Sequence, residues 1–376
     1  MILPDRPNLR HLRDQAKDLV RSGAVPTLAA AQFQIARDYG FASWPKLKHH
    51  VQTLEIAGKL RYAVQTEDLD RVKTILTANP GLHHSPRNDG DDGPLSWVVE
   101  CRGPSPSPTR LAIAQWLIDH GSNVNQGGAG PLARSAHGKC VPMMEILVAN
   151  GADVNGLWWG WFPVLFVPCE NLDAVAIQWL LDHGANPNRG NPKAPGTALD
   201  YVIDTYVRDP KRLNVCIEAL LAAGARTRYD VPGVLAILRG RNDELAALLD
   251  ADPSLAHRRY PELDCGQSGG RLLTLRGATL LHVAAEYGFL DSTRLLLDRG
   301  ANVNARADID TNGVGGQTPV FHALTHFKGV NPEVGQLLIA RGADLSIRAR
   351  VPGHYEREGE ILDVSAGEYA AIFPLR

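Results

Sequence analysis

The stretch "TLLHVAAEYGFLDSTRLLLDRGANVNA", Thr279 to Ala305, decides how the rest of the chain is read. It opens with a short apolar helix announced by Thr279. A second helix follows, ending in Leu295-Leu296-Leu297 and stopped by Gly300. Glycine is suited to that stop because it enters the left-handed conformation at little steric cost and so caps a helix. The residues after it, Ala301 to Asn304, read as a short extended finger leading onward.

The second half of this unit recurs along the chain. Its copies are "AQWLIDHGSNVN" (Ala114–Asn125), "MEILVANGADVN" (Met144–Asn155), "IQWLLDHGANPN" (Ile177–Asn188), "IEALLAAGARTR" (Ile217–Arg228) and "GQLLIARGADLS" (Gly335–Ser346). The glycines fall at 121, 151, 184, 224, 300 and 342. Two variants complete the series: "RVKTILTANPGLHH" from Arg71 and "ELAALLDADPSLAH" from Glu244. They carry Asn79 and Asp252 in the glycine slot, and both residues are expected to take over the glycine's cap. Eight copies spaced 28 to 48 residues apart, the long gap being filled by the second variant, require an array of repeated units. Shorter helices precede the copies at "GPLSWVV", "GPLARSAHG", "GTALDYV" and "QTPVFHAL".

This pattern resembles the ankyrin repeat, with its T-P-L-H-x-A signature and period of about 33 residues. Thr279 to Ala305 departs from it at Leu280, where proline is usual, and other copies replace the histidine by Phe321, Asp200, Ala133, Leu165 or Ser96. Those replacements are expected to weaken the hydroxyl–imidazole contacts the family uses between units. "SAGEYA" (Ser365–Ala370) resembles a degraded half-copy that closes the stack. The implied fold is an all-α ankyrin-repeat solenoid of stacked helix pairs with short finger hairpins. We place the array at residues 58–376, as about eight repeats plus the half-repeat, and an N-terminal helical leader or cap at residues 1–57. The leader should form three helices. Gly23 stops the first, Thr27 caps the second and Gly40 ends it, and Ser43 caps the third with Pro45 in its first turn. Its "YGFASWPKLKHHV" phrase resembles the leader that precedes ankyrin repeats in many bacterial proteins.

The totals agree with a folded, water-exposed protein: 44% hydrophobic and 21% charged residues. A net charge of −2 with no long basic run argues against a nucleic-acid or membrane-surface partner. No apolar stretch is long enough to span a bilayer and the start lacks a signal-peptide core. Five cysteines with no C-x-x-C spacing suit reduced thiols and a cytoplasmic location. No P-loop, G-x-S-x-G or H-E-x-x-H phrase occurs, and neither a cofactor nor a metal site is expected. Asp308-x-Asp310-x-Asn312-Gly313 opens like an EF-hand loop, but its twelfth position is Pro319 rather than glutamate.

Function is sought where the repeat is broken, because insertions collect on one edge. "NGLWWGWFPVLF" (Asn155–Phe166) sets three tryptophans in a finger, a position ordinarily polar. Trp158, Trp159, Trp161 and Phe162 are therefore expected to form a partner-binding surface, together with Arg258 and Tyr260 from the long finger at 256–277. The segments Glu100–Leu111 and Asp204–Leu213 lengthen the link between the two helices of a repeat, and the proline-serine composition of the first reads as a plain exposed loop. An alternative ligand site gathers Asp308 and Asp310 from the insertion at 305–319 with His322, His326 and Tyr355, as a polar cluster in the groove. The preferred function is a monomeric protein–protein interaction module. The alternative is a small-molecule binder or enzyme at the late insertions; catalysis is the weaker of the two readings.

Overall fold

The computed structural model describes residues 3–4, 7–84, 93–101, 105–267, 270–325 and 332–373. It divides into two compact units, Met1–Gly160 and Trp161–Arg376. Unit 1 holds α1 (Leu9–Arg21), α2 (Leu28–Asp38), α3 (Trp44–Gln65), α4 (Leu69–Ala78), α5 (Pro94–Val99), α6 (Pro108–Asp119), α7 (Gln126–His137), α8 (Val141–Ala149) and the two-residue strand β1 (Leu157–Trp158). Unit 2 begins with β2 (Phe162–Pro163), α9 (Phe166–Glu170), α10 (Ala174–Asp182), α11 (Ala198–Asp204), α12 (Pro210–Ala222), α13 (Pro232–Leu238) and α14 (Asn242–Ala251). It ends with α15 (Leu280–Tyr287), α16 (Leu290–Asp298), α17 (Pro319–Ala323), α18 (Pro332–Ala340), β3 (Arg348–Pro352), β4 (Ile361–Ser365) and α19 (Ala366–Ile372).

The helices pair in sequence order, a short inner helix with a longer outer one. In unit 1, α5 packs on α6 and α7 on α8, while α5 also lies on α7 and α6 on α8. In unit 2 the same double contact links α9/α10 to α11/α12, and α13/α14 to α15/α16 and α17/α18. Inner helices are buried on almost every side: all eight residues of α15 and all five of α17 are buried. Such helices need apolar residues all round, which is why "LLHVAAEY" shows little amphipathic alternation. The leader helices close a small core of their own from Leu9, Leu12, Ile35, Leu47 and Val51.

In the leader and the closing helix the caps follow the sequence with one exception. Thr27 Oγ1 accepts from the Ala30 N–H at 3.1 Å, and Ser365 with Glu368 forms a reciprocal capping box on α19. Ser43 stands at the start of α3, with Pro45 in the first turn, but its hydroxyl makes no cap bond. α3 then runs unbroken from Trp44 to Gln65, across residues 57 and 58. In α7, Gly127, Gly128 and Ala129 have positive φ, so the regular helix begins only beyond them, with Pro131 in its first turn.

The finger glycines 121, 151, 184, 224, 300 and 342 all lie at φ between 82° and 104°, the left-handed stop their spacing implied. Asn79 and Asp252 do not copy them. Both have negative φ, at −140° and −142°, and each leads through a proline into a 3-10 turn. The following Pro80 and Pro253 account for this, since a residue before proline is pushed toward extended backbone. Asn79 instead donates its side-chain amide to Ile75 O at 2.9 Å, and Asp252 Oδ1 accepts from Ser254 N at 3.0 Å.

The last residue of the recurring phrase has a task of its own. Asn125 Nδ2 donates to Gly151 O at 2.9 Å while its Oδ1 accepts from Asp153 N at 2.8 Å. Asn188 holds Gly224 O and Arg226 N in the same way, and Asn304 holds Gly342 O and Asp344 N. Each asparagine thus latches its finger to the next one. Asp200, in a histidine position, also keeps the contacts between units rather than weakening them. Its carboxylate accepts from Thr197 N, Thr227 Oγ1 and Arg228 N at 2.6–2.9 Å.

Candidate functional site

Unit 1 ends in an aromatic pair. Trp158 and Trp159 stack with ring centroids 3.9 Å apart, and the Arg134 guanidinium lies 5.6 Å from the Trp158 ring. Arg134 is itself ion-paired to Glu100 at 2.5 Å. Trp159 has φ +55° and is 54% exposed. A bulky residue rarely adopts that backbone, and here the Trp159 N–H is pinned to Gly127 O at 3.0 Å. The glycine run permits this approach, because a side chain on Gly128 would stand 2.2 Å from Leu157 O.

Unit 2 opens with a second aromatic series. Trp161 meets Phe162 edge-on at 5.4 Å, Phe162 meets Tyr201 at 5.7 Å, and Tyr201 stacks on Phe166 at 4.9 Å. The Lys193 ammonium sits 4.5 Å from the Trp161 ring centre, well within cation–π range. Beside Tyr201 lies an open cavity of about 280 Å³, which Glu170, Asp204, Tyr206, Arg271 and Tyr355 also line.

The insertions of unit 2 are stitched to one another. Tyr260 N donates to Ala278 O and accepts Gly277 N at its own carbonyl, both at 2.9 Å, so the long finger folds back near its ends. In the "RLLTL" segment the Leu275 N–H reaches Cys265 O at 2.8 Å, while the first residues turn to the closing hairpin. Arg271 bridges His354, and Tyr355 N donates to Gly270 O at 2.8 Å. The 305–319 insertion joins from the other side, with Gly315 N donating to Arg350 O at 2.7 Å. A Cβ on Gly315 would lie 2.1 Å from Asp308 O, so the crossing requires glycine.

Behind this stitching is a buried ionic knot. Glu286 of α15 accepts from Arg208 Nε at 2.8 Å, Arg271 Nη2 at 2.5 Å and His322 Nδ1 at 2.7 Å, with all four side chains wholly buried. Arg208 also reaches the carbonyls of Thr205 and Gln267, and Arg271 those of Thr325 and Leu273. Burial opposes the Glu286 charge, but the two guanidiniums and His322 outweigh it and hold the carboxyl below its usual range. Burial drives His322 the other way, toward the neutral form, so its Nδ1 carries the proton it donates. His282 accepts from Thr279 N at Nδ1 and donates from Nε2 to Gln317 O at 3.1 Å; burial lowers its pKa to about 3. Those bonds are the structural role its T-P-L-H position implied.

The residues expected at the sites divide. Trp158, Trp161 and Phe162 are half-buried at the surface and Trp159 and Arg258 are exposed. Tyr260 is not available to a partner: it is 1% exposed beneath the Arg258 guanidinium, because the long finger folds over its own ring. The groove cluster does not assemble. His322 points into the knot, since Glu286 on the neighbouring helix offers it a buried acceptor. Asp308 pairs with Arg259 at 2.9 Å, and Asp310 Oδ1 caps its own loop at Asn312 N and Val314 N. Tyr355 is exposed and faces the cavity; His326 lies outside the described residues. The sequence reading passed over Glu286, Arg208 and Arg271. A charged residue inside an otherwise apolar inner helix, "HVAAEYG", was the available signal for the first.

Comparison with known proteins agrees with this architecture. Residues 234–349 match the ankyrin-repeat family, in three copies. An ankyrin repeat protein of fowlpox virus (strain NVSL) is 22% identical over 277 residues. That alignment covers 70% of this chain and 44% of the viral protein, so the chain spans less than half of its relative's length. The crystal structure of the human ASB11 ankyrin repeat domain is 23% identical, with 67% of this chain and 99% of that domain covered at a TM-score of 0.39. No helix among the described residues is long and apolar enough to cross a membrane.

Proposed function

We propose that this chain, an ankyrin repeat protein, captures a protein or peptide partner with the aromatic side chains of its fingers. Ankyrin repeats generally serve as protein–protein interaction modules. The observation that carries the reading for this chain is Trp159. A left-handed backbone at a residue with a Cβ costs roughly 1–2 kcal/mol, and here it holds an indole out to 54% exposure. Strain of that kind persists where it serves a site. Trp158, Trp161, Phe162 and the exposed Arg258 are of the residue types that dominate binding energy. We assign the leader to residues 1–57 and the array to 58–376, and take the protein to be a bacterial cytoplasmic monomer. Its five cysteines are all unpaired and buried, which supports a reducing setting.

The test is selection of peptide ligands from a random display library on the immobilised full chain. Trp159→Ala and Trp161→Ala should each weaken the selected peptides by about 2 kcal/mol, roughly thirtyfold, with melting unchanged. Unaltered affinity in both variants overturns the reading, and so does loss of the fold, which would make the indoles core.

A further inference from the structure

We infer that the unit 2 cavity beside Tyr201 receives a basic side chain, lysine or arginine, of the partner; this rests on the partner-binding reading above. Three tyrosines, Tyr201, Tyr206 and Tyr355, line the cavity with the carboxylates of Glu170 and Asp204. Aromatic faces combined with acids are the surroundings a cation prefers over either water or hydrocarbon.

The charges decide the sign of the ligand. Asp204 is already held by Arg228 at 2.8 Å and by the Tyr229 hydroxyl at 3.0 Å. Glu170 has no cation within ion-pair distance among the described residues, although its carboxylate stands near enough to Tyr201 and Tyr206 to disfavour ionisation of both phenols after burial itself. Among the described residues the guanidinium in the wall is that of Arg271, which is committed to Glu286, Thr325 O and Leu273 O. An anionic ligand would meet Glu170 and Asp204 with no open countercharge. A cation would complete Glu170.

Size and position favour a side chain over a free metabolite. The volume, about 280 Å³, lies at the foot of the roughly 300–1,000 Å³ range of small-molecule pockets. The aromatic series Trp161–Phe162–Tyr201 leads directly to it, so a peptide seated on the first two rings has its next residues at the cavity mouth. Lys193 over Trp161, at the other end of that aromatic series, shows an ammonium group already held on one of its rings.

Ligand-observed NMR titration of the full chain with N-acetyl-arginine amide and N-acetyl-lysine amide tests the assignment, against the norleucine and glutamine amides. Binding of the basic probes alone, weakened roughly tenfold by Glu170→Gln without a change in melting, is expected. Equal binding of the neutral probes, or indifference to Glu170→Gln, overturns it. Displayed peptides that need Trp159 and Trp161 but ignore Glu170→Gln overturn the cavity assignment alone. Failure to select any peptide overturns the partner reading and with it the partner as the source of the basic group, while the amide titration separately decides whether the cavity takes a cation.

Discussion

Two kinds of joint hold neighbouring units of this chain, and they differ in almost every physical respect. The asparagine latch at Asn125, Asn188 and Asn304 is neutral, lies at the surface, and spends one side chain on two hydrogen bonds to the following finger. The Glu286 knot is ionic, fully buried, and draws Arg208, Arg271 and His322 from three segments distant in sequence. A latch can be repeated wherever the finger is regular, since all its geometry is local to the phrase. The knot occurs beside the lengthened inter-helix link at 204–213 and the long finger at 256–277, and each of those insertions supplies one of its arginines. Insertions that break a repeat therefore need a different fastening, and burial makes that fastening brittle.

The largest expected effect follows from that brittleness. Glu286→Gln leaves two buried guanidiniums without a countercharge, and removing one partner of such a group costs about 3–5 kcal/mol. Urea unfolding followed by the fluorescence of the unit 2 tryptophans should show it. Replacing its three charged members, with Glu286→Leu, Arg208→Met and Arg271→Met together, should restore most of the loss, because apolar residues of similar volume avoid the desolvation of charge and only the neutral His322 loses its acceptor. If the triple variant is as weak as Glu286→Gln, the knot is held by its shape rather than by its charges.

Acid sharpens the same contrast. His282 has a folded pKa of about 3 against an ordinary 6.5, and His322 is lowered in the same direction. Between those values the unfolded chain binds the extra proton, so stability is full above about pH 6.5 and falls as the pH drops toward 3. The slope is on the order of 1 kcal/mol per pH unit for His282, and His322 adds to it in the same direction. Glu286, lowered from 4.5, adds its own loss only once the pH passes below that value. The latches carry no titrating atom. Melting temperatures from pH 8 to pH 4 should therefore decline for unit 2; a flat profile would mean that the imidazoles are not held neutral.

The difference between the joints also explains what could be read beforehand. The helix pairs, the finger glycines and the cap residues were legible because each is decided within one phrase: Gly300 after Leu295–Leu297 needs no knowledge of its neighbours. Asn79 and Asp252 misled because the slot was matched while the proline after each was passed over. Asp200 misled in the opposite sense, since a carboxylate can accept from Thr197, Thr227 and Arg228 where an imidazole was expected. Arg208 stood in a segment read only as a lengthened link between helices, and nothing local to "DTYVRDPKRL" says that it is buried. Knots between distant segments leave no period. The cavity shares this character: Glu170, Tyr206 and Tyr355 belong to three separate turns of the chain, brought together only by the stitching of the insertions.

The smallest effect belongs to a single latch. Asn304→Ala removes the donor to Gly342 O and the acceptor for Asp344 N, at 3.0 and 2.8 Å. Water can replace both at an exposed finger, so the net cost should be about 1 kcal/mol, the ordinary worth of a protein hydrogen bond in this setting. Asn304→Asp keeps the acceptor but loses the donor and places a carboxylate beside the Gly342 carbonyl. It should therefore be no better than alanine, although it is nearly the same size. Urea midpoints of the two variants against the parent separate the cases. An aspartate variant as stable as the parent would show that Asn304 serves only as an acceptor for Asp344, and that the finger is held to Gly342 by something other than its amide.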